Sequence, residues 1–260
     1  MIETLKNKIE NYFDKNNFEP NDAKKTVDEI FSLLNRGEIR VSQKIDGKWI
    51  VNSWIKKAIL LGFRLKEAQH QEFDSFDKLG LLKYDYNNPR YRKVPLSLIR
   101  DGVYIGDNTV IMPSYINVGA YIGNKTMIDI NAAIGSCAQI GENCHISALS
   151  CIGGVLEPAV ANPVIIEDNC FIGVHSSILE GIIVEENSVI ASGVSISAST
   201  KIIDRETGET THGIIPAGSV VVSGTYPSKN GINISCAVIV KKVDAVTRSK
   251  SSINELLRNM

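Results

Sequence analysis

One acidic residue stands where a catalytic carboxylate would be useful. Asp129 lies in TMIDINAAIGSCAQIG (126–141), among Met127, Ile128, Ile130, Ala132 and Ala133. Such neighbours serve a lone charge poorly, and a carboxylate fixed beside apolar groups is a candidate general base. The competing reading, a solvated surface aspartate, is the one these residues favour by themselves. The other chemistry-bearing side chains form no motif. His70, His145, His175 and His212 show neither HxxxH nor HxH spacing, so no metal site is expected. Cys137, Cys144, Cys151, Cys170 and Cys236 include no CxxC pair and read as reduced thiols packed as small hydrophobes. There is no GxxxxGK[ST], no GxGxxG after a strand and no nucleophile elbow around Cys137.

What could position Asp129 is a repeat. Val110, Ile116, Ile122, Ile128, Ile134, Ile140, Ile146 and Ile152 recur every sixth residue, and Ile166, Ile172, Ile178, Val184, Ile190, Ile196 and Ile202 resume the rhythm. A period of six fits neither a helix nor a flat strand and indicates a parallel β-helix. Each unit is a short strand and a corner, and three units close a coil with the aliphatic residue inside. Gly123, Gly135, Gly141, Gly153 and Gly173 follow that residue, where the corner needs positive φ or close backbone approach. Asp129, one place after an inward isoleucine, must then face outward. GGVLEPAVANPV (153–164) breaks the rhythm and is expected to leave the prism as a loop, its Val155, Leu156 and Val160 needing a partner surface. DRETGETTHG (204–213) reads as a second, strand-poor excursion.

Residues 1–95 differ. ETLKNKIENYFDK, NDAKKTVDEIFSLLNRG and SWIKKAILLGFRL carry apolar residues at helical spacing, with Asn21 or Asp22 as N-cap of the second. EIRVSQKIDGKWIVN reads as two strands about an Asp-Gly turn, and NNPRYRKVP (87–95) as a connector. The expected organisation is a mostly helical domain over 1–95 able to cover one end of the prism, the β-helix over 96–223, and a C-terminal extension over 224–260 ending in a helix at SSINELLRNM. The 260 residues are 43% hydrophobic and 22% charged with net charge −1, which gives no general attraction to nucleic acid. No apolar run suits a membrane span, and MIETLKNKIENYFDKN lacks a secretory core, so a soluble cytoplasmic protein is expected.

MPSYINVGAYIG (112–123), TMIDINAAIGSCAQIGENCHIS (126–147), GGVLEPAVANPVIIEDNCFIG (153–173), DRETGE (204–209), PAGSVVVSGTYPSKNG (216–231) and CAVIVKKVDAVTRSKSSINELLR (236–258) closely resemble the tetrahydrodipicolinate N-succinyltransferase family, from about Arg92 to the C-terminus. That family belongs to the left-handed β-helix (hexapeptide) acyltransferases. The resemblance implies a mainly β, left-handed parallel β-helix with a helical N-terminal domain. It implies succinyl transfer from succinyl-CoA to tetrahydrodipicolinate, in diaminopimelate and lysine synthesis. It also implies a homotrimer with sites between prisms, small-molecule substrates and no bound cofactor. By position, the family's catalytic acid falls on Asp129, as base or substrate ligand, and its substrate-binding arginine on Arg92. A guanidinium suits a dicarboxylate, and an amine attacking a thioester must lose a proton. Ser192, Gly193, Lys201 and Lys241 are positional assignments for CoA. The family's IGARSE is IGVHSS here, so Ser177 stands at the position of a second acid and His175 at that of an arginine, while Glu180 keeps its own counterpart. Either that acid is dispensable, the preferred reading, or His175 takes part of its role, or the activity is altered. An acetyl-CoA-dependent hexapeptide transferase and a non-catalytic trimeric scaffold are the alternatives.

Overall fold

The computed structural model describes residues 1–14, 18–245 and 247. The expected C-terminal helix over 251–260 lies outside the described residues. Three helices open the chain: α1 (Ile2–Asp14), α2 (Pro20–Asn35) and α3 (Ser53–Leu65). Each buries one stripe, and Ile9, Ala23, Val27, Ile30, Ile55, Ala58 and Ile59 are fully enclosed. The cap of α2 is Glu19 rather than Asn21 or Asp22, because Pro20 takes the first helical position and the Glu19 carboxylate accepts from the N–H groups of both. Ser42–Ile45 and Lys48–Val51 form the expected hairpin, with Asp46 (φ 48°) and Gly47 (φ 77°) both left-handed as its turn demands.

Two-residue strands then wind into a prism of three parallel sheets. One stacks Tyr104, Tyr121, Gln139, Ile165, Ile183 and Ile214 as outward rungs. A second stacks Arg92, Val110, Met127, His145, Phe171 and Val189. The third stacks Leu98, Tyr115, Ala133, Cys151, Ser177 and Ser195. The residue after each rung points inward, and Ile116, Ile122, Ile128, Ile140, Ile146 and Ile152 are wholly buried in one continuous core. Burying each such side chain contributes about 1.5–3 kcal/mol. The unit from Ile111 to Ile116 is one residue short, so Ile111 stacks beneath Ile128 and Val110 becomes the outward rung beneath Met127, a shift from the strict six-residue register. Coil pairing also starts earlier than residue 96, since Arg92 and Lys93 of the expected connector pair with Val110 and Ile111.

The corners divide the two roles expected of glycine. Left-handed φ falls three residues after the inward aliphatic, on Asn131 (56°), Asn143 (54°), Asn169 (59°) and Asn187 (59°), where a short amide tolerates it. The glycine directly after the aliphatic serves close approach instead. A Cβ on Gly123 would lie 2.5 Å from the carbonyl carbon of Gly141 in the next coil.

The helical domain lies along the side of the prism rather than over its end. The N–H of Gly102 donates to Asn35 (2.7 Å), Arg40 donates to Gln139 (3.1 Å), Lys44 to Glu167 (2.7 Å) and Lys56 to the carbonyl of Ala161 (2.6 Å), which spans successive coils. Val118 and Cys137 at prism corners belong to the helical core, and this outward apolar pair dictates sideways docking. The first coil is closed by Leu82, Tyr84 and Tyr91, with the Tyr84 hydroxyl donating to the Tyr91 carbonyl (2.6 Å). The last is closed by an antiparallel hairpin, Ser219–Pro227 with Asn233–Lys242, whose Ala237 and Ile239 enter the prism core.

Residues 153–164 carry no strand, and the step from Ile140 to its partner Ile166 is 26 residues against the usual 18. Leu156 finds its partner in the helical core, while Val160 is 75% exposed. The second excursion is not strand-poor: Ile202–Asp204 and Thr210–Thr211 pair antiparallel, because the Asp204 carboxylate caps the turn by accepting from Glu206 (2.8 Å). No described helix is long and apolar enough to cross a membrane.

Candidate functional site

Asp129 stands at the corner between the His145 and Ala133 sheets, and its own N–H donates to the carbonyl of Ile146 one coil on (2.9 Å). The corner is a tight turn, closed by the Ala132 N–H on the Asp129 carbonyl (3.2 Å). Alternation along the strand turns Met127 out, Ile128 in and Asp129 out. Its Oδ1 accepts from the N–H of Ile130 (2.7 Å), and Oδ2 lies 3.9 Å from Nε2 of His145. Both side chains are partly enclosed, 26% and 18% exposed, so the carboxylate is neither a freely solvated aspartate nor a core residue.

Arg92 lies on the same sheet, two rungs below Met127, roughly 10 Å along the prism at the spacing of neighbouring strands. Its Nε is buried and has no hydrogen-bond partner among the described residues, which costs stability unless a ligand supplies an acceptor. Arg92 and Asp129 therefore border one outward face. Sequence reasoning weighed His145 as a metal ligand or a partly exposed surface residue and missed it as Asp129's neighbour. The signal was present: eighteen residues after Met127, one full coil, puts His145 on the rung above it.

The second-acid position stays empty of acid. Ser177 is an outward rung of the Ala133 sheet between Cys151 and Ser195, and His175 occupies a left-handed corner (φ 58°) two coils above Asn131. The Glu180 carboxylate accepts from Ala198 N–H (3.1 Å) and is engaged in that corner. Of the residues assigned to CoA, Ser192 and Gly193 share the corner column of Asp129, and the Gly193 carbonyl accepts from Ser223 (3.2 Å). Lys201 sits on the Tyr226 ring (4.0 Å) near this end of the hairpin. Lys241 is not brought to them. Lys201 is bonded through its carbonyl to Ala237, and Lys241 lies four residues further along that strand, about 13 Å away, paired with Asp244 (2.7 Å).

Groups of metal-ligating side chains are absent among the described residues, and the five cysteines are free. Burial pushes the thiols of Cys137 and Cys144 up to about 12, and Cys170 upward as well, so these are inert. A separate cleft where the helical domain meets the prism is lined by Arg40, Lys44, Trp49, Glu167, Asp168 and Glu186, on the side away from Asp129.

Comparison with known proteins matches both the helical domain and the prism. The sequence model described as Tetrahydrodipicolinate N-succinyltransferase N-terminal matches residues 4–65, the bacterial transferase hexapeptide model matches 119–154, and the hexapeptide repeat of succinyl-transferase matches 163–198. A 2,3,4,5-tetrahydropyridine-2,6-dicarboxylate N-succinyltransferase of Sodalis glossinidius is 53% identical over 243 residues, covering 90% of this chain and 89% of its own. That of Acinetobacter baylyi is 52% identical over 248 residues, covering 92% and 91%. A Campylobacter jejuni crystal structure, assigned as a 2,3,4,5-tetrahydropyridine-2-carboxylate N-succinyltransferase, shares the fold at 16% identity and TM-score 0.54, covering 87% of this chain and 63% of its own. With the helical domain, the hexapeptide prism and the relatives in agreement over nine-tenths of its length, the chain belongs to the tetrahydrodipicolinate N-succinyltransferase family.

Proposed function

We propose that the protein transfers the succinyl group of succinyl-CoA to the amine of ring-opened tetrahydrodipicolinate, giving N-succinyl-2-amino-6-oxopimelate and CoA in the succinylase branch of diaminopimelate and lysine synthesis. The observation that carries this is the half-identity to N-succinyltransferases over about 90% of both chains. The outward face bordered by Asp129 and Arg92 supports it chemically. Water opens the cyclic imine, and the amine nitrogen attacks the thioester carbonyl. Asp129 accepts the N–H proton as the C–N bond forms; the C–S bond then breaks and the thiolate leaves, taking up a proton as CoA. The guanidinium of Arg92, with its unpartnered Nε, holds a substrate carboxylate. A thioester is already activated, so Ser177 in place of a second acid leaves the reaction with one base.

The working form is a homotrimer. The corner that carries Asp129 also exposes Ile130 (43%), Leu149 (45%) and Val174 (38%), an apolar edge that a neighbouring prism would cover while turning the face beside it into a cleft. In this reading Ser192, Gly193 and Lys201, near the upper end of that edge, bind the CoA arm, whereas Lys241 is paired with Asp244. Five unpaired cysteines suit a reducing cytoplasm.

Thiol release on mixing the protein with tetrahydrodipicolinate and either succinyl-CoA or acetyl-CoA tests the activity. Release with succinyl-CoA is expected; preference for acetyl-CoA would overturn the donor, and no release with either would leave only a scaffold. Light scattering is expected to give three times the 28.5 kDa chain mass.

A further inference from the structure

We infer that His145 is a positioning residue for the transfer reaction, fixing the plane of the Asp129 carboxylate so that a remaining lone pair faces the attacking amine; this rests on the reading of Asp129 as the base. A single hydrogen bond, from Ile130 N–H to Oδ1 (2.7 Å), comes from the residue next in sequence and leaves Oδ2 free to swing. The second contact comes from a different coil, where Nε2 of His145 stands 3.9 Å from Oδ2. That is ion-pair range and too long for a direct hydrogen bond, and pairs of this kind commonly tighten when substrate closes the site.

The imidazole is well placed for this work because it is itself held. Its rung sits directly over Met127, and its ring packs against Phe171 on the next rung, centroids 5.0 Å apart at 36°. Phe171, His145 and Met127 thus stack as consecutive rungs of the parallel ladder, with Asp129 at the corner two residues beyond Met127. A rigid scaffold of this kind is what holds a reactive group to the tolerance catalysis requires. His145 thus brings an ionisable side chain from the next coil to Oδ2 of Asp129.

His145→Gln and His145→Asn separate positioning from packing, since both carry an amide N–H but only glutamine has the reach of Nε2. In steady-state thiol release, His145→Asn is expected to lower kcat roughly tenfold to 100-fold with KM for both substrates changed by less than about threefold, and His145→Gln to recover most of the loss. In an Asp129→Asn background neither substitution should lower kcat further, because a residue acting through Asp129 has nothing left to position. Equal activity of the two variants, or a further loss in the Asp129→Asn background, would overturn the inference. Thermal melts of each variant identify loss through misfolding, and a His145→Gln protein that folds normally but is as slow as His145→Asn also counts against it. If Asp129→Asn itself retains near-normal turnover, the base reading falls and this inference with it. If Asp129→Asn is inactive while the His145 variants are normal, this inference alone fails.

Discussion

Glu167 is the latch between the helical domain and the prism, and removing it should loosen that junction measurably. Its carboxylate is only 8% exposed and accepts from Lys44 Nζ (2.7 Å), Trp49 Nε1 (2.7 Å) and the N–H of Glu186 (3.2 Å). Burial alone would push this acid up, but the hydrogen bonds from Lys44 and Trp49 outweigh it and hold it below the usual glutamate range. Lys44 is 45% exposed, so its share is screened to about 0.5 kcal/mol. The indole and backbone donors to a buried anion contribute about 1–1.5 kcal/mol each, for a total near ~3 kcal/mol. Glu167→Ala is therefore expected to lower the melting temperature by roughly 6–12 °C, at about 2–4 °C per kcal/mol for a chain of this size. Glu167→Gln keeps the acceptor without the charge and should fall in between. The sign with pH follows from the lowered folded pKa. The stabilisation is complete above the unfolded value near 4.5 and is lost as pH falls through the lower folded value. The wild type should accordingly show a decline in melting temperature below about pH 5 that is weaker in Glu167→Gln. Hydrogen exchange across residues 42–51 gives the local readout. Wild-type melting and exchange in Glu167→Ala would refute the latch.

Four other outcomes are expected. Asp129→Asn can keep its Oδ1 on the Ile130 N–H, so its melt should match the wild type while thiol release falls roughly 10²- to 10⁴-fold, the usual worth of a general base; turnover within a few-fold of normal would exclude that role. Arg92→Met should lower kcat/KM for the dicarboxylate by about tenfold to 150-fold, with Arg92→Lys intermediate because it keeps charge but loses the planar fork, both checked by initial-rate kinetics. Ile146→Ala, at 0% exposure in the prism core, should cost about 2–5 kcal/mol in urea unfolding, whereas Ile130→Ala on the open corner should spare the fold and weaken self-association in light scattering. Gly123→Ala forces a methyl to 2.5 Å from Gly141 backbone and should sharply reduce soluble, folded protein on expression, while Gly193→Ala meets open space and should cost only the roughly 1–3 kcal/mol of its left-handed φ.

The prism was legible because its signal is redundant. An aliphatic residue every sixth position, repeated around three sheets, leaves one architecture that can bury them all, and a single mismatch does not erase it. The mismatch that did occur, Ile111 rather than Val110 beneath Ile128, arises from one five-residue unit between Ile111 and Ile116, and two adjacent aliphatics there concealed the shift. The helices and the Asp-Gly hairpin were readable for the same local reasons. The cap of α2 was misplaced because Pro20 at the first turn makes Glu19 the flanking residue.

The docking of the helical domain was not readable, since it depends on Val118, Cys137, Gln139 and Glu167, which are scattered through the repeat and meet only when the coils stack. The site divides along the same line. Periodicity alone requires Asp129 to face outward, because a strand that points Ile128 inward has no other choice. Its surroundings are a matter of which coil lies above and below: His145 over Met127, Phe171 over His145, Arg92 two rungs beneath, and Lys241 carried away along the closing hairpin. Local chemistry in a β-helix is written along the chain, but its neighbours are supplied by the stacking direction, one coil away in space and some eighteen residues away in sequence.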